Sequence, residues 1–195
     1  MAILKVVDEG RVMSDEEDVR QYLAGAGIEY ERWNVSSTIG RHSDEEAILA
    51  AYADQIARLR LAGQYTKVDV IDVDSSTPGL DGMLAKFSAE HWHDEDEMRF
   101  TVFGRGLYHV HPTNGAVVSL EVEPGDIVRV PRGTLHWFDL CGNREIKAIR
   151  FFQDPSGWTP YYSKSSIEDR YQPVCFGSSS ISLERIVVDT WLGQK

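Results

Sequence analysis

Residues Met98 to Phe152 read MRFTVFGRGLYHVHPTNGAVVSLEVEPGDIVRVPRGTLHWFDLCGNREIKAIRFF. Short apolar runs alternate here with turn residues. The runs are Met98 to Phe103, Leu107 to Val110, Ala116 to Val122, Asp126 to Val130, Leu135 to Leu140 and Ile146 to Phe152. Between them lie Gly104, Pro112-Thr113-Asn114-Gly115, Pro124-Gly125, Pro131-Arg132-Gly133 and Gly142-Asn143. Punctuation by Asn-Gly and Pro-Gly at a spacing of about 8 to 12 residues predicts a β-sandwich or barrel. The fold class is therefore mainly β.

Upstream the texture changes. Ile3 to Val7 predicts a short strand. Ser14-Asp15-Glu16-Glu17 matches a helix-capping box with Ser14 as cap, and the helix should end near Gly25 or Gly27. Ser43-Asp44-Glu45-Glu46 repeats the signature. The helix it opens carries Ile48, Tyr52, Ile56 and Leu59 on one face and stops at Gly63. These few N-terminal helices form a peripheral cover. Val68, Val70 and Val73 follow among aspartates, then a turn or loop at Asp74 to Gly79. The tail from Trp158 is irregular by pattern, and Ile186-Val187-Val188 near Trp191 suits a strand or a helix turn equally. One domain over 1–195 is expected: a cover at 1–66, a metal-binding β-barrel at 67–160 and an extension at 161–195.

Twenty basic against 31 acidic side chains give a formal charge of -11. That balance disfavours a dedicated nucleic-acid or anionic-membrane binder, which needs a basic surface. No stretch has the ~18 apolar residues of a spanning helix, and MAILKVVDEGRVMSDEED does not read as a signal peptide. Cys141 and Cys175 are too few for a disulfide framework. They are expected as reduced thiols in a cytoplasmic protein.

Chemistry concentrates in the β-like half. Five of the six histidines lie between His91 and His136. In His91-Trp92-His93-Asp94-Glu95-Asp96-Glu97, an extended strand puts residues two apart on one face, about 6.5 to 7 Å apart at Cα. His91 and His93 can then converge on one ion, and Glu97 shares their parity if the strand continues. Asp94-Glu95-Asp96 reads most simply as a solvated rim. His136 opens a strand just after the Pro131-Arg132-Gly133 turn, and a hairpin can bring it alongside. Three imidazoles and one carboxylate suit Fe2+, Ni2+, Mn2+ or zinc. Four ligands leave two neighbouring positions open on an octahedral ion, enough for a substrate with adjacent oxygens. A structural zinc site would close at four and lean on thiolates. Arg99 lies two residues beyond Glu97 on the same face. Arg99 and Arg150 are candidate anion-binding residues, with Phe100 and Phe138 as pocket candidates. His109 and His111 read as loop or pocket-wall residues, and His42 as exposed.

His91 to Gly104 fits the core of the first cupin motif (HxH, three residues, E, six residues, G), although Ala85 stands where a leading glycine is usual. Gly125 to His136 fits the second (G, five residues, PxG, two residues, H), with Leu140 in place of a frequent asparagine. More narrowly, the chain resembles the acireductone dioxygenases of methionine salvage. The likeness is carried by Lys86-Phe87, Glu90-His91, His93, Asp96-Glu97, Arg99-Phe100, Phe103-Gly104 and Gly106. It continues through Gly125-Asp126-Ile127, Val130-Pro131, Gly133-Thr134, His136 to Asp139, Ala148 to Phe152 and Gly157-Trp158. Tyr52 to Ile56 with Leu59, and Gly27-Ile28 with Trp33, belong to it too. Trp92, His109, His111 and the tail beyond Pro173 depart from the pattern.

The resemblance implies a cupin double-stranded β-helix, a jelly-roll barrel, holding one Fe2+ or Ni2+ ion per chain on His91, His93, Glu97 and His136. It implies cleavage of 1,2-dihydroxy-3-keto-5-methylthiopentene, the acireductone, by O2. Iron would give 2-keto-4-methylthiobutyrate and formate; nickel would give 3-methylthiopropionate, formate and carbon monoxide. Arg99 would orient or stabilise the substrate anion, with Arg150, Phe100 and Phe138 around it. Acireductone and O2 are the expected partners of a monomer, with neither nucleic acid nor membrane. A cupin running another reaction, or a non-enzymatic cupin storing a metal or small ligand, are the rival readings.

Overall fold

The computed structural model describes residues 1–154 and 157–176. Ser178 to Ser180 and the apolar run Ile186-Val187-Val188 with Trp191 lie outside the described residues. Twelve strands are described: β1 (Ile3–Val6), β2 (Arg11–Met13), β3 (Glu29–Arg32), β4 (Lys67–Val73), β5 (His91–Trp92), β6 (Glu97–Gly104), β7 (Gly106–His111), β8 (Val118–Val122), β9 (Asp126–Val130), β10 (Leu135–Leu140), β11 (Ile146–Phe152) and β12 (Tyr161–Tyr162). Four helices accompany them: α1 (Glu16–Gly25), α2 (Glu45–Ala51), α3 (Ala53–Gly63) and α4 (Leu80–Ala85).

The strands form two antiparallel sheets. One has the order β12-β5-β10-β7-β8-β1-β2 and the other β3-β9-β6-β11-β4. Alternation explains why the two sheets share a core. Leu4, Val6, Tyr108, Val110, Leu120 and Phe138 of the seven-stranded sheet pack in one cluster with Tyr30, Val73, Val128, Val130 and Ile146 of the other. Each such side chain contributes roughly 1.5–3 kcal/mol when fully buried. Chain direction reverses sharply between β6 and β7. Gly104 adopts φ +74, and a Cβ there would lie 2.2 Å from the Glu145 carbonyl oxygen; a larger residue fits neither the backbone nor the space.

The outer faces are covered as well. Met98, Phe100 and Val102 point away from the shared core and pack beneath Ile48, Tyr52 and Ile56 of the helical segment. On the seven-stranded sheet, Val117 and Trp137 pack against Tyr171 of the C-terminal segment. The N-terminal part is thus more than a cover: β1 pairs with β8, and β3 pairs with β9.

Several local expectations need correction. The caps fall one residue later than the boxes suggest. Asp15 accepts the Glu17 and Asp18 amides, and Asp44 accepts the Ala47 amide. A short carboxylate reaches these amides as well as a hydroxyl does and adds charge at the positive helix end. The single helix over the Ile48–Leu59 stripe is two, broken at Tyr52. Cys141 and Cys175, expected as free thiols, are joined as a disulfide. Spacing could not show this, because the pair meets only when the C-terminal segment returns across the sheet. Among the described residues no helix is long and apolar enough to cross a membrane.

Candidate metal centre

β5 and β10 lie side by side with His91 directly opposite His136. The chain then leaves the sheet. His93 is outside any strand, residues 94 and 95 bend, and Glu97 begins β6 in the other sheet. The single extended strand expected from His91 to Glu97 is therefore corrected: the four side chains meet because the chain crosses between sheets. The proline–glycine turn fixes the crossing, since the Gly133 amide donates to the His93 carbonyl at 2.8 Å.

The three imidazoles are oriented alike. His91 Nδ1 donates to Ala89 O at 2.7 Å, His93 Nδ1 to Thr159 O at 2.8 Å and His136 Nδ1 to Thr134 O at 2.8 Å. A carbonyl oxygen only accepts, so each Nδ1 carries a proton, and in that tautomer Nε2 is the nitrogen that offers a lone pair. All three Nε2 atoms are buried without a hydrogen-bond partner. The three rings bring their nitrogens within 4.8 Å of one another. Buried polar atoms left unpaired cost about 1–3 kcal/mol each. Three converging lone pairs in one place call for a cation.

Glu97 closes the same space. Its Oε2 lies 3.2 Å from His93 Nε2 and 3.5 Å from His136 Nε2. Its Oε1 accepts from the Tyr108 hydroxyl at 3.0 Å and lies 3.0 Å from Arg99 Nε. Burial by itself would raise this carboxyl, but the Arg99 guanidinium and contacts from His136 and His93 outweigh it and hold it well below the usual carboxylate range. Burial, with the neighbouring His136, lowers His91 to about 4. Burial thus favours a neutral His91 beside an ionised Glu97, the forms in which such donors bind a divalent ion. His91, His93 and His136 form a cluster able to coordinate such an ion, and oxygen and imidazole donors fit iron, nickel, manganese or zinc.

Arg99 lies against the face of Phe138, with its guanidinium carbon 4.8 Å from that ring centroid and 5.0 Å from that of Trp158. Together with Phe138, Phe87, Leu84, Leu140 and Ile71 it lines an apolar pocket that also takes in Arg150. Arg150 stands opposite Arg99 across the β6–β11 pairing. It is held by Asp69 through bonds of 2.8 and 2.9 Å. Phe100 is corrected. It has even parity on β6, faces the opposite side and packs 4.9 Å from Trp33 and 4.8 Å from Tyr52.

Other expectations change similarly. His109 is buried on β7 and stacks on Trp137 at 4.8 Å, on the outer face. His111, at the end of β7, donates to Glu90 at 2.6 Å. Both are strand residues, not loop residues. Of the acidic run only Asp94 is exposed. Glu95 accepts the Gln153 and Asp154 amides, and Asp96 binds Arg129 and the Arg132 amide. His42 is exposed. Tyr108 and Phe87 were missed as site residues. Tyr108 shares parity with Val110 on β7, which placed it in the core, and no sequence signal marks the Thr159 carbonyl at all.

Two antiparallel sheets with a buried cluster of three histidines define a metal-binding β protein, with an arginine-bearing pocket adjoining the cluster through Arg99. A family model described as "ARD/ARD' family" matches residues 11–160. An acireductone dioxygenase from Picosynechococcus sp. is 36% identical over 174 residues, 89% of this chain and 99% of that protein. One from Stutzerimonas stutzeri is 39% identical over 177 residues, 88% and 97% of the two chains. The solved structure of an acireductone dioxygenase from Bacillus anthracis, with a cadmium ion in its active centre, superposes with a TM-score of 0.77. It shares 33% identity and covers 83% of this chain and 98% of that one. The chain belongs to the ARD/ARD' family.

Proposed function

We infer that this chain is an acireductone dioxygenase, cleaving 1,2-dihydroxy-3-keto-5-methylthiopentene with O2 in methionine salvage. The observation that carries this reading is the set of three buried, unpartnered Nε2 atoms with the Glu97 Oε2 beside them. His91, His93, Glu97 and His136 would hold one Fe2+ or Ni2+ ion. When bound, that ion supplies a Lewis acid and a template for neighbouring oxygens. The cadmium in the Bacillus anthracis relative supports a divalent ion here.

The chain's own residues do the rest. Arg99, aimed between Glu97 and the pocket, faces the enediolate and offsets its charge. Its own burial would lower it, but Glu97 outweighs this and keeps it cationic. Phe138 and Phe87 wall the reacting end, while Ile71, Leu84 and Leu140 take the methylthio tail. Arg150, fixed by Asp69, adds positive potential without being free to reach. Tyr108 donates to Glu97 Oε1 and Arg99 forms an ion pair with it, while Oε2 faces the imidazoles.

The two sheets read as the halves of a cupin double-stranded β-helix. Residues 67–160 carry the site, 1–66 supply both cover and edge strands, and 161–195 form an extension on a single unit. Iron loading should give 2-keto-4-methylthiobutyrate and formate; nickel loading should give 3-methylthiopropionate, formate and carbon monoxide. A cytoplasmic monomer completes the reading.

The test is oxygen uptake and product analysis for iron- and nickel-reconstituted protein, with the acireductone against a panel of diketones. Uptake with the diketones alone would overturn it. Arg99→Gln should retain the metal and lose about 100- to 1,000-fold in turnover.

A further inference from the structure

The C-terminal segment touches both strands that carry the histidine cluster. Thr159 O accepts a hydrogen bond from His93 Nδ1 at 2.8 Å. β12 then pairs with β5, setting Tyr162 opposite His91 and stacking Tyr161 on Trp92 at 4.6 Å. The Ser163 amide donates to Glu90 O at 3.1 Å. The Ser163 and Ser165 hydroxyls donate to the buried Glu90 carboxylate at 2.5 and 2.6 Å.

The chain next crosses the outside of the seven-stranded sheet. Tyr171 packs 5.9 Å from Trp137, the neighbour of His136, and its hydroxyl donates to Asp8 at 3.0 Å. The described path ends where Cys175 is bonded to Cys141 and the Phe176 amide donates to Glu121. From Tyr161 to Phe176 only Tyr171 is buried. A segment with so little apolar contact opens readily unless something else holds it. The covalent bond across 34 residues is that anchor.

We propose that residues 159–176 are a strap completing the metal centre, and that the Cys141–Cys175 disulfide is its thiol-reducible latch. The proposal rests on the metal-centre reading above. A low-molecular-weight dithiol attacks the half-buried Cys175 sulfur, Cys141 being buried. The dithiol supplies two electrons and two protons. The Cys141–Cys175 bond breaks, two thiols form, and the reductant leaves as its own disulfide. Exchange with an oxidised dithiol reverses the step. Release of the distal end lets the strap peel back toward β12. The carbonyl that orients His93 is then held less firmly, and such supporting contacts are worth about 10- to 100-fold in metal affinity.

The experiment compares nickel-loaded wild-type protein, air-oxidised and dithiol-reduced, with Cys175→Ser. Alkylation under denaturing conditions counts thiols. EDTA competition gives the rate of nickel loss, and hydrogen exchange reports on residues 159–176. Reduced protein and variant should both lose nickel about tenfold faster and exchange faster in the strap. Reoxidation should restore the wild type alone. Two free thiols in oxidised protein, or equal nickel loss from both forms, overturns the strap while leaving the function standing. Failure of the oxidised protein to take up nickel overturns both.

Discussion

Two groups of buried polar side chains are built on opposite principles. At the β3–β9 edge, Asp126 is saturated: it accepts from the Tyr30 hydroxyl at 2.8 Å, Arg32 at 2.5 Å and the Glu123 amide at 2.8 Å. In the centre, His91, His93 and His136 each spend one nitrogen on a carbonyl and leave the other bare. Saturated burial holds strands in register. Convergent unsaturated burial is tolerated where something from outside the chain completes it. The difference separates a structural polar group from a functional one more sharply than burial does, since both groups are almost fully enclosed.

Breaking the unsaturated group should give the largest effect. His136→Ala should lower metal affinity more than ~100-fold and abolish turnover, while circular dichroism stays that of the parent. Retention of one metal per chain, measured by elemental analysis, would dissolve the contrast. Breaking the saturated group should act the other way. Asp126→Ala leaves Tyr30, Arg32 and an amide without their acceptor and should cost about 3 kcal/mol of stability. Urea unfolding reads that loss, and metal content of the folded fraction should not change.

A pH-dependent effect sharpens the comparison. Burial lowers His109 to about 4, whereas the unfolded chain titrates near ~6.5. Between those values unfolding takes up a proton, so this residue's contribution to stability falls as pH falls. His109→Gln removes the uptake. The variant should lose less stability than the parent between neutral pH and about pH 4, by up to ~3 kcal/mol. Parallel urea midpoints across that range would refute the assignment.

Legibility followed turn chemistry. Asp126 to Val130, Leu135 to Leu140 and Ile146 to Phe152 have the bounds their flanking Pro-Gly and Gly-Asn pairs predict. β3 was missed because Glu-Tyr-Glu-Arg buries one residue and becomes a strand only by pairing with β9. α4, at Leu80 to Ala85, has no side-chain cap to announce it. Phe100 and Phe138 looked equivalent beside their charged neighbours, yet strand parity turned one into the helical cover and the other into the pocket. The acidic run at Asp94 to Asp96 looked solvated. Two of its three carboxylates are consumed by amides and arginine from segments more than 30 residues away.

The order of residues alone determined the mainly β class, the turns, the histidine and carboxylate donors and the family likeness. These are set by local backbone preference and by side-chain chemistry. Tertiary structure decided which sheet each donor stands on, which imidazole nitrogen faces inward and that Cys141 meets Cys175. Those depend on contacts between segments far apart in the chain. Backbone carbonyls such as that of Thr159 act there without any identity a sequence could display.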